Sequence, residues 1–450
     1  MYSRKRLRVL KMDLVEKVRA AGVVGAGGAG FPTHVKINCR AEVAIANGAE
    51  CEPLLRVDQQ IMAAFANEVV AGLRAVMKHT GAQRGAICLK SHYHDAVDAL
   101  WKEIGNAQDI SLHLMKSYYP AGDEQQIVYE VTGKVVPTGG LPLDVGAVVL
   151  NVSTLMNVAR ALGDFPVTDK YITVNGEVGR PATFKAPVGT PVSALVAAAG
   201  GPADRERYAL ILGGPCMGPL SDDWETPVTK TMGGVLVLKK AHPLISKKKP
   251  NSFADIKLIK AACSQCGFCT QLCPRNALGL NVQPHKAMRA AGNANGALLG
   301  NFNGIFSCCD CGICTYYACN FGLKPSVMMQ SIKKSMMQQG IRPQKEVFTG
   351  CDGGFENKKV PVSRLIGRLG VGGYDVPAPV AEIFPPAARV RIPLKMHIGV
   401  PAKSVVKAGD AVAKGQLIAA IEGNELGANI HASISGTVAN VTRDFIEIHA

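Results

Sequence analysis

Eight of the fourteen cysteines in this 450-residue chain fall into two short runs, and no other feature constrains its folding as strongly. Cys263, Cys266, Cys269 and Cys273, followed by Pro274, spell C-x2-C-x2-C-x3-C-P; Cys308, Cys311, Cys314 and Cys319 form the second run, with Cys309 an extra thiol inside it. Three thiolates so spaced can wrap a loop around one face of an iron–sulfur cubane and leave its fourth iron to a cysteine from elsewhere. A tetrahedral zinc site needs only four thiolates, so zinc leaves half of this set unexplained. The runs predict two 4Fe-4S clusters. Cys39, Cys51, Cys88, Cys216 and Cys351 stand alone and read as buried or incidental thiols.

The first run resembles bacterial two-cluster ferredoxins, in which the fourth ligand of each cluster comes from the other run. That resemblance implies one cluster on Cys263, Cys266, Cys269 and Cys319, and a second on Cys308, Cys311, Cys314 and Cys273. The second run departs from the pattern. Its last spacing is four residues rather than three, Asn320 replaces the usual proline, and Cys309 leaves open which of Cys308 and Cys309 is the ligand.

So many clustered thiols point to metal ligation in a reducing compartment rather than to disulfides. The basic start Met1 to Lys11 runs into Asp13, Glu16 and Lys17 where a secretory signal would be apolar. The most apolar window, 145–162, is broken by Asn151, Ser153, Thr154, Asn157 and Arg160, so no membrane span is expected. A formal charge of +15 raises the possibility of a nucleic-acid partner. Two clusters and a flavin phosphate would lower it to about +9, and the basic residues lack interleaved aromatics. No nucleic-acid partner is expected. The basic stretch 239–260 reads as a solvated linker.

Composition divides the chain into an α/β multidomain protein of four units. Residues 12–165 alternate helical patterns such as 61–79 with apolar runs at 86–89 and 147–150. Residues 169–240 place short strands (171–174, 209–212, 234–238) around one helix, 192–199, as in a β-grasp module. Residues 255–340 carry the cysteines and close on a helix over 325–339; residues 390–450 are β-rich, with turns at 408–410, 422–424 and 435–436.

Residues 25–33 (GAGGAGFPT) contain G-x-G-x-x-G, but a helical pattern, 14–20, precedes it and Pro32 interrupts the helix that a Rossmann turn would need next, so this is no Rossmann turn. Backbone N–H groups can still approach a phosphate or an isoalloxazine ring there. Three further segments come after it in order: NGAECEP at 47–53, YPAGDE at 119–124 and LNVSTL at 150–155. Together they resemble the flavin-binding subunit of respiratory complex I and its relatives, the C subunit of the Rnf complex and the microcompartment cobalamin reductases.

The resemblance implies FMN held by Gly25, Gly27, Gly28 and Gly30, with Lys36 on its phosphate side and Asn47, Glu50, Asn151 and Thr154 in contact. It further implies that Phe31 stacks on the dinucleotide and that Asp123 and Glu124 are the catalytic acids orienting the nicotinamide of NADH. Departures from complex I are Ala26 for arginine, Ala49 for aspartate, Asp123 for glutamate and Leu150 for asparagine.

Residues 169–240 resemble the SLBB β-grasp domain of these families. Residues 391–449 resemble the barrel-sandwich hybrid of the Rnf C subunit, itself similar to biotinyl and lipoyl carriers. The expected hairpin tip, 423–426, is Gly-Asn-Glu-Leu without a lysine to modify, so a structural module is expected. This module lies after the clusters, as in cobalamin reductases of propanediol-utilisation microcompartments, whereas in the Rnf C subunit it is first.

The resemblance therefore implies an NADH-dependent oxidoreductase passing electrons through FMN and two 4Fe-4S clusters to cobalamin, from cob(III)alamin and cob(II)alamin to cob(I)alamin. A flavin is needed because NADH gives electrons in pairs and a cluster takes one at a time. The implied setting is the cytoplasm, inside a bacterial microcompartment, with a cobalamin adenosyltransferase and shell proteins as partners. An NADH dehydrogenase or Rnf-type subunit feeding a ferredoxin is the alternative within the class, and a zinc-containing basic binding protein the one outside it.

Overall fold

Short apolar runs form strands, the inner ones buried on both faces. Val43–Gly48, Arg84–Lys90, Ile110–Met115 and Ala147–Asn151 make a parallel sheet, with 43–48 between 84–90 and 147–151 and with 110–115 at the outer edge. Alternate residues of each strand point to opposite faces. Ala44, Ala46, Ile87, Leu89, Val148 and Leu150 enter one core; Val43, Ile45, Cys88, Ala147 and Val149 enter another. Helices cover both faces, as a parallel sheet requires.

The helical pattern expected over 61–79 is two helices, Val57–Ala64 and Ala66–Thr80, broken at Phe65. In the second, a Cβ on Gly72 would lie 2.1 Å from the Leu155 carbonyl, so only glycine lets helix Val152–Leu162 pack this closely. Pro32 precedes a short helix, Thr33–Ile37, rather than preventing one, because proline suits the position before the first helical N–H groups are needed.

The computed structural model describes residues 12–346, 351, 353–381 and 387–450; Met1 to Lys11, whose role as a shell-targeting peptide the sequence leaves open, lies outside the described residues. After the flavin-type domain, a mixed five-stranded sheet (Asp169–Gly176, Ala182–Pro187, Tyr208–Leu212, Leu220–Ser221, Gly234–Lys239) packs on helix Val192–Ala198 around Ile172, Leu195, Trp224 and Val235. The cysteine-bearing region packs Phe253–Ala262, Pro284–Gly292 and Pro325–Gln338 around Leu278, Leu280, Met288 and Met329. Helix Val362–Leu369 comes next, and Val360–Pro361 pairs antiparallel with Tyr118–Tyr119, tying this region back to the first domain. Two small sheets at the C-terminus enclose Val390, Ile392, Ile418, Ile446 and Ile448.

The solvated linker expected over 239–260 is corrected at 243–248 and again from 253, where helix Phe253–Ala262 begins. In the first stretch the chain forms a helix, Pro243–Lys248, that buries Leu244 and Ile245. Lys248 Nζ donates to the carbonyls of Cys216 at 2.9 Å and Gly218 at 2.6 Å. A Lys-rich stretch with two apolar residues can dock by laying its stems on apolar surface. Among the described residues, no helix is long and apolar enough to cross a membrane.

Candidate functional site

In an open parallel sheet, ligands bind beyond the carboxyl ends of strands where strand order reverses. Here that crevice lies between 43–48 and 147–151. Asn47 Nδ2 donates to the Gly122 carbonyl at 2.9 Å. Asn151 caps helix 152–162 by accepting from Ser153 N–H at 2.8 Å, and its Nδ2 donates to Asp58 Oδ2 at 2.9 Å.

The glycine loop is tied at its base. Ala26 N–H donates to Thr154 Oγ1 at 2.9 Å, Lys170 Nζ donates to the Ala26 carbonyl at 2.8 Å, and Gly25 N–H donates to the Phe31 carbonyl at 2.9 Å. Gly27, Gly28 and Ala29 face solvent, and among the described residues no protein acceptor meets the amides of residues 27–30. A Cβ on Gly27 would come within 2.8 Å of Asn151 Nδ2, whereas one on Gly28 would meet nothing within 4 Å. Successive unpartnered amides over an open space fit a phosphate or a flavin edge. Gly30, at φ 74°, instead seats the loop against Thr231 and Met396. Lys36 Nζ and Glu124 Oε1 are 2.6 Å apart, each about one-third exposed, and Phe31 is 36% exposed.

Behind the crevice lies a buried set of charges. Glu50 Oε2 accepts from Asp58 N–H at 2.5 Å, and burial, reinforced by the Asp58 carboxylate, pushes the Glu50 carboxyl up to about 8. Burial also raises Asp58. Lys90 Nζ donates to the Glu50 carbonyl at 2.8 Å and is lowered by burial; burial brings Lys170 down to about 8. Beyond Glu50 opens a cavity of about 590 Å³ whose polar lining includes Glu52, Arg56, Lys90, His92 and Asp375.

Asp123 does not face this crevice alone. Its carboxylate makes a two-pronged pair with Arg275, the residue after Cys273-Pro274: Nε to Oδ2 and Nη2 to Oδ1, both 2.6 Å. The Arg275 and Asp123 side chains are 11% and 5% exposed. The Tyr119 hydroxyl lies 2.8 Å from both Glu52 Oε1 and the Cys311 carbonyl. One hydroxyl proton cannot serve two acceptors. The arrangement is satisfied when Glu52 is itself protonated, as its burial favours. The segment 119–124 thus meets the crevice on one side and the second cysteine run on the other.

The fold brings the cysteines into two groups. Cys263, Cys266, Cys269 and Cys319 line one cavity, and Cys269 is pushed up to about 12 by burial and by the neighbouring Cys319, Cys263 and Cys266. Cys314 is raised by burial and then by Cys308 and Cys273; Cys311 neighbours Cys309, Cys273 and Cys314. Cys309 sits next to Cys311, Asp123 and Arg275. Among the described residues, no three His, Cys, Asp or Glu side chains converge tightly enough for a single ion. Thiols raised by burial and mutual repulsion hold protons that a cationic iron cluster would displace, and the ring of four thiols is the donor set such a cluster takes. The unpartnered, buried Ser307 hydroxyl and Asp310 Oδ1 flank this second group.

Sequence reasoning missed Asp58, Lys90, Lys170, Tyr119 and Arg275. Lys90 carried a signal, being a lysine that ends an apolar strand at the sheet's carboxyl edge. Asp58 and Lys170 carried none, since their roles depend on residues more than ninety positions away.

Residues 18–160 match the Nuo51 FMN-binding domain, 171–220 the SLBB domain, 262–324 a 4Fe-4S dicluster domain and 377–449 the RnfC barrel sandwich hybrid domain. The chain is 40% identical over 437 residues to cobalamin reductase PduS of Salmonella typhimurium, spanning 97% of this chain and 96% of that one. It is 38% identical to cobalamin reductase PduS of Citrobacter freundii over 96% of this chain and 95% of that one. It is 35% identical, over 61% of both chains, to the C subunit of the Na(+)-translocating ferredoxin:NAD(+) oxidoreductase complex of Acetobacterium woodii. With kinship running nearly the whole length of both chains, the chain belongs to the cobalamin reductase family.

Proposed function

We propose that the protein is an NADH-dependent cobalamin reductase holding FMN and two 4Fe-4S clusters. The observation that carries this reading is the wall shared by the crevice and the second cysteine group, where Tyr119 meets Cys311 and Asp123 meets Arg275. A donor that releases electrons in pairs and a corrin that takes them singly need a flavin and clusters between them, which is the chemistry these groups supply when bound.

The chain's own residues do the holding and aiming. Gly27 and Gly28 present the loop amides to FMN while the Gly25 amide ties the base of the loop to Phe31, Lys36 lies on its phosphate side, and Asn47, Glu50, Asn151 and Thr154 shape the crevice. Glu124 is the acid left to orient the nicotinamide, with Phe31 at the rim, while Asp123 acts through Arg275 as a clamp between domains. Cys273, Cys308, Cys311 and Cys314 would hold the cluster nearer the crevice; Cys263, Cys266, Cys269 and Cys319 the one nearer solvent. The working units are 12–165, 169–240, 255–340 and 390–450. The setting is a bacterial microcompartment, with shell proteins and an adenosyltransferase as partners.

One NADH gives NAD+, a proton and two electrons, which reduce two cob(II)alamin to two cob(I)alamin. Anaerobic holoprotein mixed with NADH should lose flavin absorbance before cluster absorbance and then reduce cob(II)alamin. Cluster bleaching at the same rate in flavin-depleted protein overturns the scheme.

A further inference from the structure

The two cysteine groups differ in what borders them, and the first has a groove at its side. That groove, about 560 Å³, is lined by Phe268, Leu272, Tyr317, Asn320, Arg364 and Arg368. It shares Ala318 with the cavity ringed by Cys263, Cys266, Cys269 and Cys319. Phe268 lies between Cys266 and Cys269 in the chain, yet is 46% exposed. We propose that this groove is the cobalamin site, where the acceptor takes its electron beside the first cysteine group. The assignment rests on the reductase reading above and names the place at which the acceptor is held.

The chemistry of the lining matches the chemistry of the ligand. A corrin is a broad ring with apolar faces, a fringe of amides and a nucleotide arm carrying one phosphodiester. Phe268, Leu272 and Tyr317 offer an apolar and aromatic floor, and a cleft of this size falls within the usual range for small-molecule sites. Arg364 and Arg368 stand one turn apart on helix Val362–Leu369. Arg364 is exposed and makes no ion pair among the described residues. Arg368 donates to the Tyr317 carbonyl at 3.3 Å and to Asn320 Oδ1 at 3.4 Å, leaving further donors on its guanidinium. Among the described residues no acidic side chain lines the groove to repel the phosphodiester. The 590 Å³ cavity beyond Glu50 is the weaker candidate, because Glu50, Glu52 and Asp375 line it and it lies on the flavin side.

Position 367 makes the test clean. It is a glycine on the same helix, also at the groove, and a Cβ there would meet nothing within 4 Å. A phenylalanine can therefore project into the groove without displacing the fold. Holoprotein carrying Gly367→Phe should keep wild-type iron, sulfide and flavin content and its thermal midpoint. Equilibrium dialysis should show its affinity for cob(II)alamin about tenfold or more weaker, with the KM for cob(II)alamin raised in step. Gly367→Ala should bind as wild type, and Arg364→Ala should weaken binding about threefold to tenfold. Wild-type affinity in both Gly367→Phe and Arg364→Ala overturns the proposal. So does a defect seen only when the corrin is presented on an adenosyltransferase, since the groove would then dock protein. Failure of the wild-type holoprotein to bind or reduce cob(II)alamin would instead sink the reductase reading itself, and the site with it.

Discussion

Cys273, Cys311 and Cys314 are buried, with Cys273 beside Arg275 and the Cys311 carbonyl on Tyr119, while Cys266 is exposed two residues before Phe268 of the open groove. The same residue type in similar spacing thus serves an inner wall and an outer one. The inner wall is polar: a two-pronged ion pair, a shared hydroxyl and an extra thiol, Cys309, stand at the boundary with the crevice. The outer wall is open, an apolar and aromatic floor beside Asn320 and two arginines. Electron transfer weakens steeply with distance, so a buried wall held by direct contacts suits a fixed internal partner and an open one suits a partner that comes and goes.

The sharpest way to break this comparison is to remove one thiol from each wall. Cys311→Ser should cost about half the iron and lower NADH-driven cobalamin reduction about 100-fold or more, with loss of soluble protein, because it empties a buried ligand position. Cys266→Ser should lower reduction while leaving the yield of folded protein near wild type. Iron and sulfide per chain and cobalamin turnover decide it; equal loss of folded protein in both variants would mean that burial does not separate the two groups.

Next in size is the inner ion pair. Arg275→Leu leaves the Asp123 carboxylate buried without its partner and should destabilise the protein by about 3–5 kcal/mol, read by chemical denaturation. Adding Asp123→Leu should recover most of that loss. If the single variant costs no more than a surface pair, the clamp between the domains is not structural.

The crevice side of the same wall should also respond to pH. Burial, with Asp58 alongside, raises the folded-state Glu50 to about 8 from 4.5, so the folded chain keeps a proton that the unfolded chain releases. Stability from this group is complete below about pH 4.5 and is lost as pH rises toward 8. Lys90 and Arg56 oppose the shift without cancelling it. Glu50→Gln should flatten this slope, gaining about 1–3 kcal/mol at pH 8 relative to pH 5; parallel melting curves for the two proteins across that window would contradict it.

The smallest effect contrasts neighbouring glycines. Gly27→Ala drives a methyl into Asn151, whose side chain is fixed by Asp58 and Ser153, and should weaken flavin retention by about 1–2 kcal/mol. Gly28→Ala meets no protein atom within 4 Å, so any flavin it loses measures direct contact between that residue and the ring or phosphate. Flavin content after gel filtration distinguishes them.

Much was legible in the sequence because it is local. Cysteine spacing dictates which thiolates can share a loop, alternating apolar runs dictate buried parallel strands, and clustered glycines mark a backbone open to a ligand. Those features carried the cluster chemistry, the four-part order and the flavin loop. Where local patterns were ambiguous, they misled: the 61–79 pattern breaks at Phe65, and the lysine-rich stretch holds a helix that buries Leu244 and Ile245. What only the folded chain decided are pairings across long separations. Arg275 and Asp123 are 152 residues apart, and Lys170 and Ala26 144 apart. Which thiols are buried, which acid is clamped and where a groove remains open depend on the packing of whole domains. That packing is set by complementary surfaces brought together in space, and no short stretch of sequence contains both halves of one.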